Sequence, residues 1–418
     1  MTHVLVAGAG IGGLTTALSL HAAGLGVTVV DAARSLRPVG VGINLLPHAV
    51  RELTELGLGT VLAETGIPTA EMVHFDRHGS RIWGEPRGRD LGYLWPQYSL
   101  HRGDLQRILL DAVLARIGEV HTAAAVTGFH DEGTRVRVDF ASGRALTADV
   151  LVGADGLHST VRARLHPGEG RPLWNGIRMW RGLAKTEPFL GGRTLAVAGS
   201  NETAKFVAYP VSRSAEIRGR ALVNWVAEVR LGGSGSGSGS GRAAADWDRT
   251  GKRADVLAHF ADWDLGWLDV PDLIRSTGRI LEYPMVDRDP LPRWGRGRVT
   301  LLGDAAHPMY PIGSNGASQA VLDARCLARH LATAGGPEEA LRAYEAERLP
   351  VTNALVLAHR DMPADRILAT VARRAPQGFE RIEDVLTEAE LAGIDAAYRR
   401  TTGADVAYLN GRESWSVG

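Results

Sequence analysis

A chain of 418 residues with 44% apolar content can bury a sizeable core and build two intimate domains, and its 47 basic residues balance 47 acidic ones. Zero formal net charge without a basic run offers no field for nucleic acid or an anionic membrane, and no apolar stretch is long enough to span a bilayer. The single cysteine, Cys326, excludes an internal disulfide; with no charged-then-apolar leader, it points to a reducing, cytoplasmic setting.

The chain begins almost directly on a strand, His3 to Ala7, followed by Gly8-Ala-Gly-Ile-Gly-Gly13. A helix over Leu14 to Ala23 and a strand over Val27 to Val30 come next, closing on Asp31. Strand, glycine loop, helix, strand and acid in this order form the dinucleotide fingerprint in its full context. Gly8 permits the turn, Gly10 lets a pyrophosphate approach the backbone, Gly13 lets helix pack on strand, and Asp31 suits a ribose hydroxyl. Gly40 and Gly42 lie in a loop that allows close backbone approach to a ligand. A helix is expected over Pro47 to Leu56, a hairpin from Met72 to Asp76 and Arg81 to Trp83, and a capped helix opening near Arg102.

A second hairpin, Val136 to Phe140 and Ala145 to Thr147, leads to the apolar strand Val150 to Val152, with Asp155-Gly156 past its carboxyl end. From Gly176 to Val229 the pattern turns strand-rich: Ile177 to Leu183, Thr194 to Ala198, Phe206 to Val211 and Ala221 to Val229. Antiparallel strands inserted into a nucleotide-binding domain imply a second domain closing over the first. The run Gly232 to Gly241 alternates strictly between Gly and Ser, a flexible coil by composition. It reads as an engineered replacement for a loop, with a natural low-complexity insert as the alternative.

After a strand over Arg279 to Met285, Val299 to Leu302 is a short buried strand with Gly303-Asp304 at its end, where open α/β sheets place ligands. A loop rich in Pro and Gly follows, then a helix from Ala317 to Leu331, whose free N–H groups and positive dipole end suit an anion. Cys326 falls in this helix and reads as a packed thiol. Pro337 to Leu349, Thr352 to Arg360 and Ile382 to Arg400 are expected to be helical.

Gly8 to Gly13, Asp155-Gly156 and Gly303-Asp304, in this order, resemble the group A FAD-dependent aromatic monooxygenases of the p-hydroxybenzoate hydroxylase type, across nearly the whole chain. Gly40-Val-Gly-Ile-Asn44, Gln97-Tyr-Ser-Leu-His-Arg-Gly103, Met179-Trp-Arg-Gly182, Asn224-Trp-Val226, Trp263-Asp-Leu-Gly-Trp267 and Tyr283 to Pro290 resemble its phenazine-carboxylate branch.

The resemblance implies an α/β fold: a Rossmann-like FAD-binding domain of the glutathione-reductase type, an inserted antiparallel-sheet substrate domain and C-terminal helices. Expected boundaries are 1–75, 101–175 and 286–360 for FAD binding, 76–100 and 176–285 for the substrate domain, and 361–418 for the tail. It implies FAD contacts at Gly8, Gly10, Ile11, Gly12, Gly13, Asp31, Ala32, Gly42, Ile43, Arg102, Val126, Asp155, Gly303, Asp304, Pro311, Gly313, Gly316, Ala317 and Ser318. Pro311 and Gly316 would lie near the isoalloxazine, although Ser318 departs from the asparagine that many relatives carry. It further implies transient NADH or NADPH, oxygen added at the flavin C4a, and attack of the distal peroxide oxygen on an aromatic ring, with no protein nucleophile or metal. His307 is read as a structural loop residue.

A small aromatic or N-heteroaromatic, carboxylated substrate would meet Met179, Arg181, Tyr209, Trp225 and Tyr310. Because strand neighbours face opposite sides, either Met179 and Arg181 or Arg178 and Trp180 line the pocket, but not both pairs. Epoxidation or ring oxidation of a polycyclic compound, and non-catalytic aromatic binding, are the alternatives. No nucleic acid or membrane partner is expected, and the chain would be a monomer or homodimer.

Overall fold

The computed structural model describes residues 2–36, 40–231, 249–393 and 405–417. The run Gly232 to Gly241 and the end of the helix expected up to Arg400 lie outside these. Two unlike sheets organise the chain. The first has five parallel strands in the order Val299–Leu301, Val150–Gly153, His3–Ala7, Gly26–Val30, Val120–His121. Its central strand pairs on both edges and is buried from Val4 to Ala7, which is why its sequence is a continuous apolar run rather than an alternating one.

The first helix, Ile11–Ala22, starts three residues earlier than expected, so Gly12 and Gly13 sit in its first turn. A Cβ on Gly13 would lie 1.8 Å from the Gly8 carbonyl oxygen, a closeness that only glycine permits. Gly8 itself is at φ +111, in the region that favours glycine. Helix Asn315–Thr333 packs against this first helix from the far side of the Gly303 turn.

The second sheet has seven strands in the order Ile280–Asp287, Leu173–Thr186, Ala221–Arg230, Ala204–Pro210, Thr194–Gly199, Glu71–Phe75, Arg81–Pro86. All pairs are antiparallel except Thr194–Gly199 with Glu71–Phe75. The expected hairpin therefore joins this sheet from Glu71 onward, ahead of the boundary expected at residue 76.

Alternation splits the sheet into two faces. Trp180, Phe206, Trp225 and Phe75 pack with Phe260 and Trp263 into one core. Met179, Arg181, Val226, Glu228, Lys205, Val207 and Tyr209 face the other way, toward the parallel domain. The two late helical runs are a single helix, Pro337–Asp361, through Pro350. Pro350 is exposed, so the Ala346 carbonyl it leaves unbonded can meet water, and Thr352 Oγ1 donates to the Arg348 carbonyl at 3.1 Å. Met362 at φ +43 then turns the chain into helix Pro363–Arg374. Among the described residues no helix is long and apolar enough to cross a membrane.

Candidate functional site

Three strands of the parallel sheet end side by side: Ala7 into Gly8, Gly153 into Ala154, and Leu301 into the Gly303 turn. Outside their carboxyl ends lies a solvent-open cleft of about 1320 Å³, lined by Gly10, Ile11 and Gly12 of the first turn, Gly42 and Ile43, Arg102, Gly303, Asp304, Tyr310 and Pro311, and Gly316 and Ala317. The first turns of helices Ile11–Ala22 and Asn315–Thr333 both open onto it, presenting free N–H groups and positive dipole ends. A Cβ on Gly10 would meet nothing within 4 Å, so this backbone faces open space where a ligand could approach.

Asp31 lies behind the glycine turn rather than in the cleft lining. Its carboxylate accepts from Ala9 N and Ala33 N, each at 2.7 Å, and so fixes the turn's shape. Two such bonds leave carboxylate lone pairs for a hydroxyl. Gly8 and Gly13 shape the same turn from behind. Ala32 is exposed, and Val126 begins a strand packed on the main core; neither lines the cleft.

Asp304 is open to the cleft, yet the walls hold it away from bulk water. Burial raises its carboxyl above the usual range, opposed by His307 and Arg102. Burial likewise lowers Arg102, with Asp304 and Tyr283 favouring its charge and Arg181 opposing it. The Gly303–Asp304 turn is pinned from below by a buried network that sequence reading missed. Asp323 accepts from Gly303 N at 3.1 Å and Arg348 Nε at 2.8 Å, with His307 Nε2 2.6 Å away. Burial would raise Asp323, but His307 and Arg348 hold it below the usual carboxylate range. His307 is thus placed as a loop anchor. Arg162, also buried, donates to the carbonyls of Ala305 at 3.0 Å and Ala306 at 2.7 Å.

Asp155 turns its side chain away from the cleft, accepting from Ser159 Oγ and, at 2.8 Å, from Thr160 N to cap helix Thr160–Leu165. Its neighbours Ala154 and Gly156 line the cleft instead. Ser318 is fully buried; its hydroxyl accepts from Leu46 N at 3.1 Å, so its side chain does not reach the lining.

A second cavity of about 950 Å³ abuts the cleft, sharing Met179, Arg181, Tyr209 and Pro311 with it and reaching Gly313 and helix Pro363–Arg374. Of the two alternative pairs, Met179 and Arg181 face the cavities. Trp180 Nε1 donates to Glu282 at 3.2 Å on the opposite face, and Arg178 pairs with the same carboxylate at 3.6 Å.

The placement of Trp225 is corrected by the register. It pairs with Gly182 and Ala208, is completely buried against Phe206, and donates to Thr277 Oγ1 at 2.8 Å in the core away from the cavity. Its neighbours Asn224 and Val226 take the cavity face. Asn224 Oδ1 accepts from Gly42 N at 2.7 Å, and a Cβ on Gly42 would lie 2.5 Å from Asn224 Cβ, so the two domains meet at a glycine by necessity.

Arg181 donates to the Gly42 carbonyl at 2.6 Å and to Tyr283 Oη at 3.2 Å, while its Nε has no partner. Among the described residues no carboxylate pairs with it. Burial raises the Tyr209 phenol, opposed by Arg181, and takes Tyr310 to about 12, with Asp287 adding to the rise. Cys326 is buried, and burial pushes its thiol far up, in keeping with a packed thiol. It lies near His330 and Glu347, but that carboxylate is already ion-paired with Arg329 at 3.0 Å.

The chain matches the model of the FAD binding domain family over residues 1–217 and 285–358. It is 49% identical over 408 residues to the phenazine 1,6-dicarboxylic acid hydroxylase PhzS of Lysobacter antibioticus, covering 95% of this chain and 96% of that protein. It is 32% identical over 356 residues to the 3-hydroxybenzoate 6-hydroxylase 1 of Aquipseudomonas alcaligenes, covering 84% and 86% of the two chains. Klebsiella pneumoniae HpxO, solved with FAD and uric acid, superposes with a TM-score of 0.72 at 26% identity over 98% of this chain and 95% of that one. A cleft open at both helix ends, on a parallel sheet carrying the full glycine fingerprint, therefore belongs to a member of the FAD binding domain family, and the chain is an FAD-dependent aromatic monooxygenase.

Proposed function

We propose that the chain uses NADH or NADPH to hydroxylate a planar N-heteroaromatic acid of the phenazine-carboxylate type. The observation that carries this reading is Arg181: a cation set into the wall shared by both cavities, with neutral partners only and one N–H unengaged. Burial works against this charge, but Tyr283 and Tyr209 more than restore it, so a cation without an ionic partner stands ready in the wall for a substrate anion. The Lysobacter relative, whose name gives a phenazine dicarboxylic acid as its substrate, supports the ring system.

The cleft fits FAD. Backbone N–H groups at Gly10 to Gly12 would hold the diphosphate and Asp31 a ribose hydroxyl. Arg102 and Asp304 would lie along the cofactor's length, and the N–H groups of Gly316 and Ala317 would face the part that becomes anionic on reduction. When bound, FAD supplies electron transfer from the nicotinamide and the activation of oxygen.

The protein's part is positioning and exclusion. Arg181 would hold the carboxylate. Met179, Val207, Val226 and Pro311 form the apolar walls that keep water from the reacting ring. No second glycine fingerprint occurs, so the nicotinamide cofactor would dock transiently across the FAD domain.

The test is a panel of aromatic acids scored by NADH and NADPH oxidation and by product mass. Stimulation with a gain of one oxygen atom is expected for phenazine carboxylates. Oxidation that yields only hydrogen peroxide with every compound would overturn the reading in favour of a binding protein.

A further inference from the structure

The second cavity has two electrostatically different ends. At the cleft end stands Arg181, without a carboxylate partner among the described residues. Away from it, Lys205 and Glu228 face each other across paired strands, with Lys205 Nζ 3.0 Å from the Glu228 carboxylate. Asp365, from helix Pro363–Arg374, closes on the same ammonium with both oxygens at 3.3 Å. All three line the cavity and are shielded from solvent.

Two carboxylates against one ammonium leave this end with one net negative charge. Burial works against the Lys205 charge, but Asp365 and Glu228 more than restore it, so the ammonium persists and is already engaged twice. Beyond it, His74 is 4% exposed, lines the cavity, and has an Nδ1 without a partner. Burial first, then Arg87 and Lys205, lower its pKa to about 3, so the ring is neutral and adds no positive charge.

The strand register fixes the spacing. Arg181 pairs with Val226, Val226 with Val207, and Lys205 lies two residues from Val207. Two strand spacings and two residue rises put the Arg181 and Lys205 backbones about 12 Å apart, on the scale of a fused tricycle with a substituent at each end.

We propose that this cavity is polarised end to end and selects a substrate with one carboxylate, held by Arg181, and an uncharged or cationic hydrogen-bonding group facing Lys205, Glu228 and Asp365. A second carboxylate at that end meets two carboxylates in a low-dielectric wall, where like charges are poorly screened. Lys205 cannot welcome it without releasing a partner it already holds. The inference rests on the phenazine-carboxylate reading but goes beyond it. The Lysobacter relative's substrate by name carries two carboxyl groups, which makes the diacid the compound that tests the inference.

A pair of ligands of equal shape tests it on the FAD-loaded enzyme without any mutation: phenazine-1,6-dicarboxylate and its 6-carboxamide monoacid. Binding is read from the change in flavin absorption and turnover from NAD(P)H oxidation with product mass. The monoacid is expected to bind at least about tenfold more tightly, equivalent to about 1.4 kcal/mol. Asp365→Asn and Glu228→Gln, checked for flavin content and melting temperature, should bring the ratio within about threefold by tightening binding of the diacid.

Equal or tighter binding of the diacid by the wild type, with both compounds hydroxylated, would overturn the inference and leave the proposed function standing. If neither compound perturbs the flavin, both fall together.

Discussion

Arg181→Met separates a binding role from a structural one, because the two put the loss in different measurements. In the substrate-free protein the substitution deletes two hydrogen bonds, to Gly42 O at 2.6 Å and Tyr283 Oη at 3.2 Å, worth about 1.5 to 3 kcal/mol each because the donor is charged. It also removes a shielded cation whose desolvation costs several kcal/mol. Methionine is close in length and apolar, so the wall keeps its volume. The opposing changes nearly cancel, and the empty enzyme should lie within about 2 kcal/mol of wild type.

With substrate the balance tips one way. A carboxylate loses its charge-assisted partner, about 1.5 to 3 kcal/mol, which is about 10- to 150-fold in Kd. Chemical denaturation of the FAD-loaded protein measures the first quantity and substrate titration of the flavin spectrum the second. A variant that binds carboxylated substrates as wild type does would refute the assignment. So would one that unfolds several kcal/mol too easily, because the arginine would then be a strut between the Gly42 loop and the sheet.

Asp304→Ala should weaken FAD binding about tenfold or more without lowering the melting temperature of the FAD-free protein, since burial already raises that carboxyl; full flavin retention after desalting would count against it. Trp225→Phe should destabilise by about 1 to 3 kcal/mol through the lost bond to Thr277, while KM for substrate stays put, because the indole packs in the core away from the cavity; a shifted KM in steady-state assays would contradict the observed face. His48, buried in helix Pro47–Glu55, and His74 are both lowered to about 3, chiefly by burial. Their folded pKa values lie below the unfolded 6.5, so they stabilise the neutral-pH protein and that stability drains as pH falls from 6.5 toward 3, with a combined slope of about 2.7 kcal/mol per unit. Urea midpoints between pH 6.5 and 5 that stay flat would disprove this.

What the sequence made legible is what the backbone itself demands. Gly8 needs a positive φ, Gly13 must approach a carbonyl, and Asp31 must accept turn N–H groups; these requirements lie within thirty residues and leave a readable pattern. Four of the five parallel strands were legible too, because burial forces a plain apolar run; the short edge strand Val120–His121, which is not buried, was not. The phase of the second sheet was not. Asn224, Trp225 and Val226 alternate correctly, but a period of two does not say which set faces a ligand, and a tryptophan invites the aromatic-pocket reading. Only the pairing of Trp225 with Ala208, and of Asn224 with Tyr209, fixes the faces.

The hardest features to read were charges brought together across long separations. Lys205 meets Asp365 from 160 positions away, and Asp323 collects the Gly303 amide and His307 from one turn and Arg348 from a later helix. No spacing rule exposes such groups, since each residue alone reads as a solvated charge. Yet ions buried in a wall survive only where partners or a ligand compensate them. Below the Gly303 turn every charge in the Asp323 network meets an opposite charge or a hydrogen-bond donor, and the result is rigidity. In the cavity Arg181 is left without an anion and the Lys205 group carries one charge too many. That difference divides the buried charges that hold the fold from those that await a substrate.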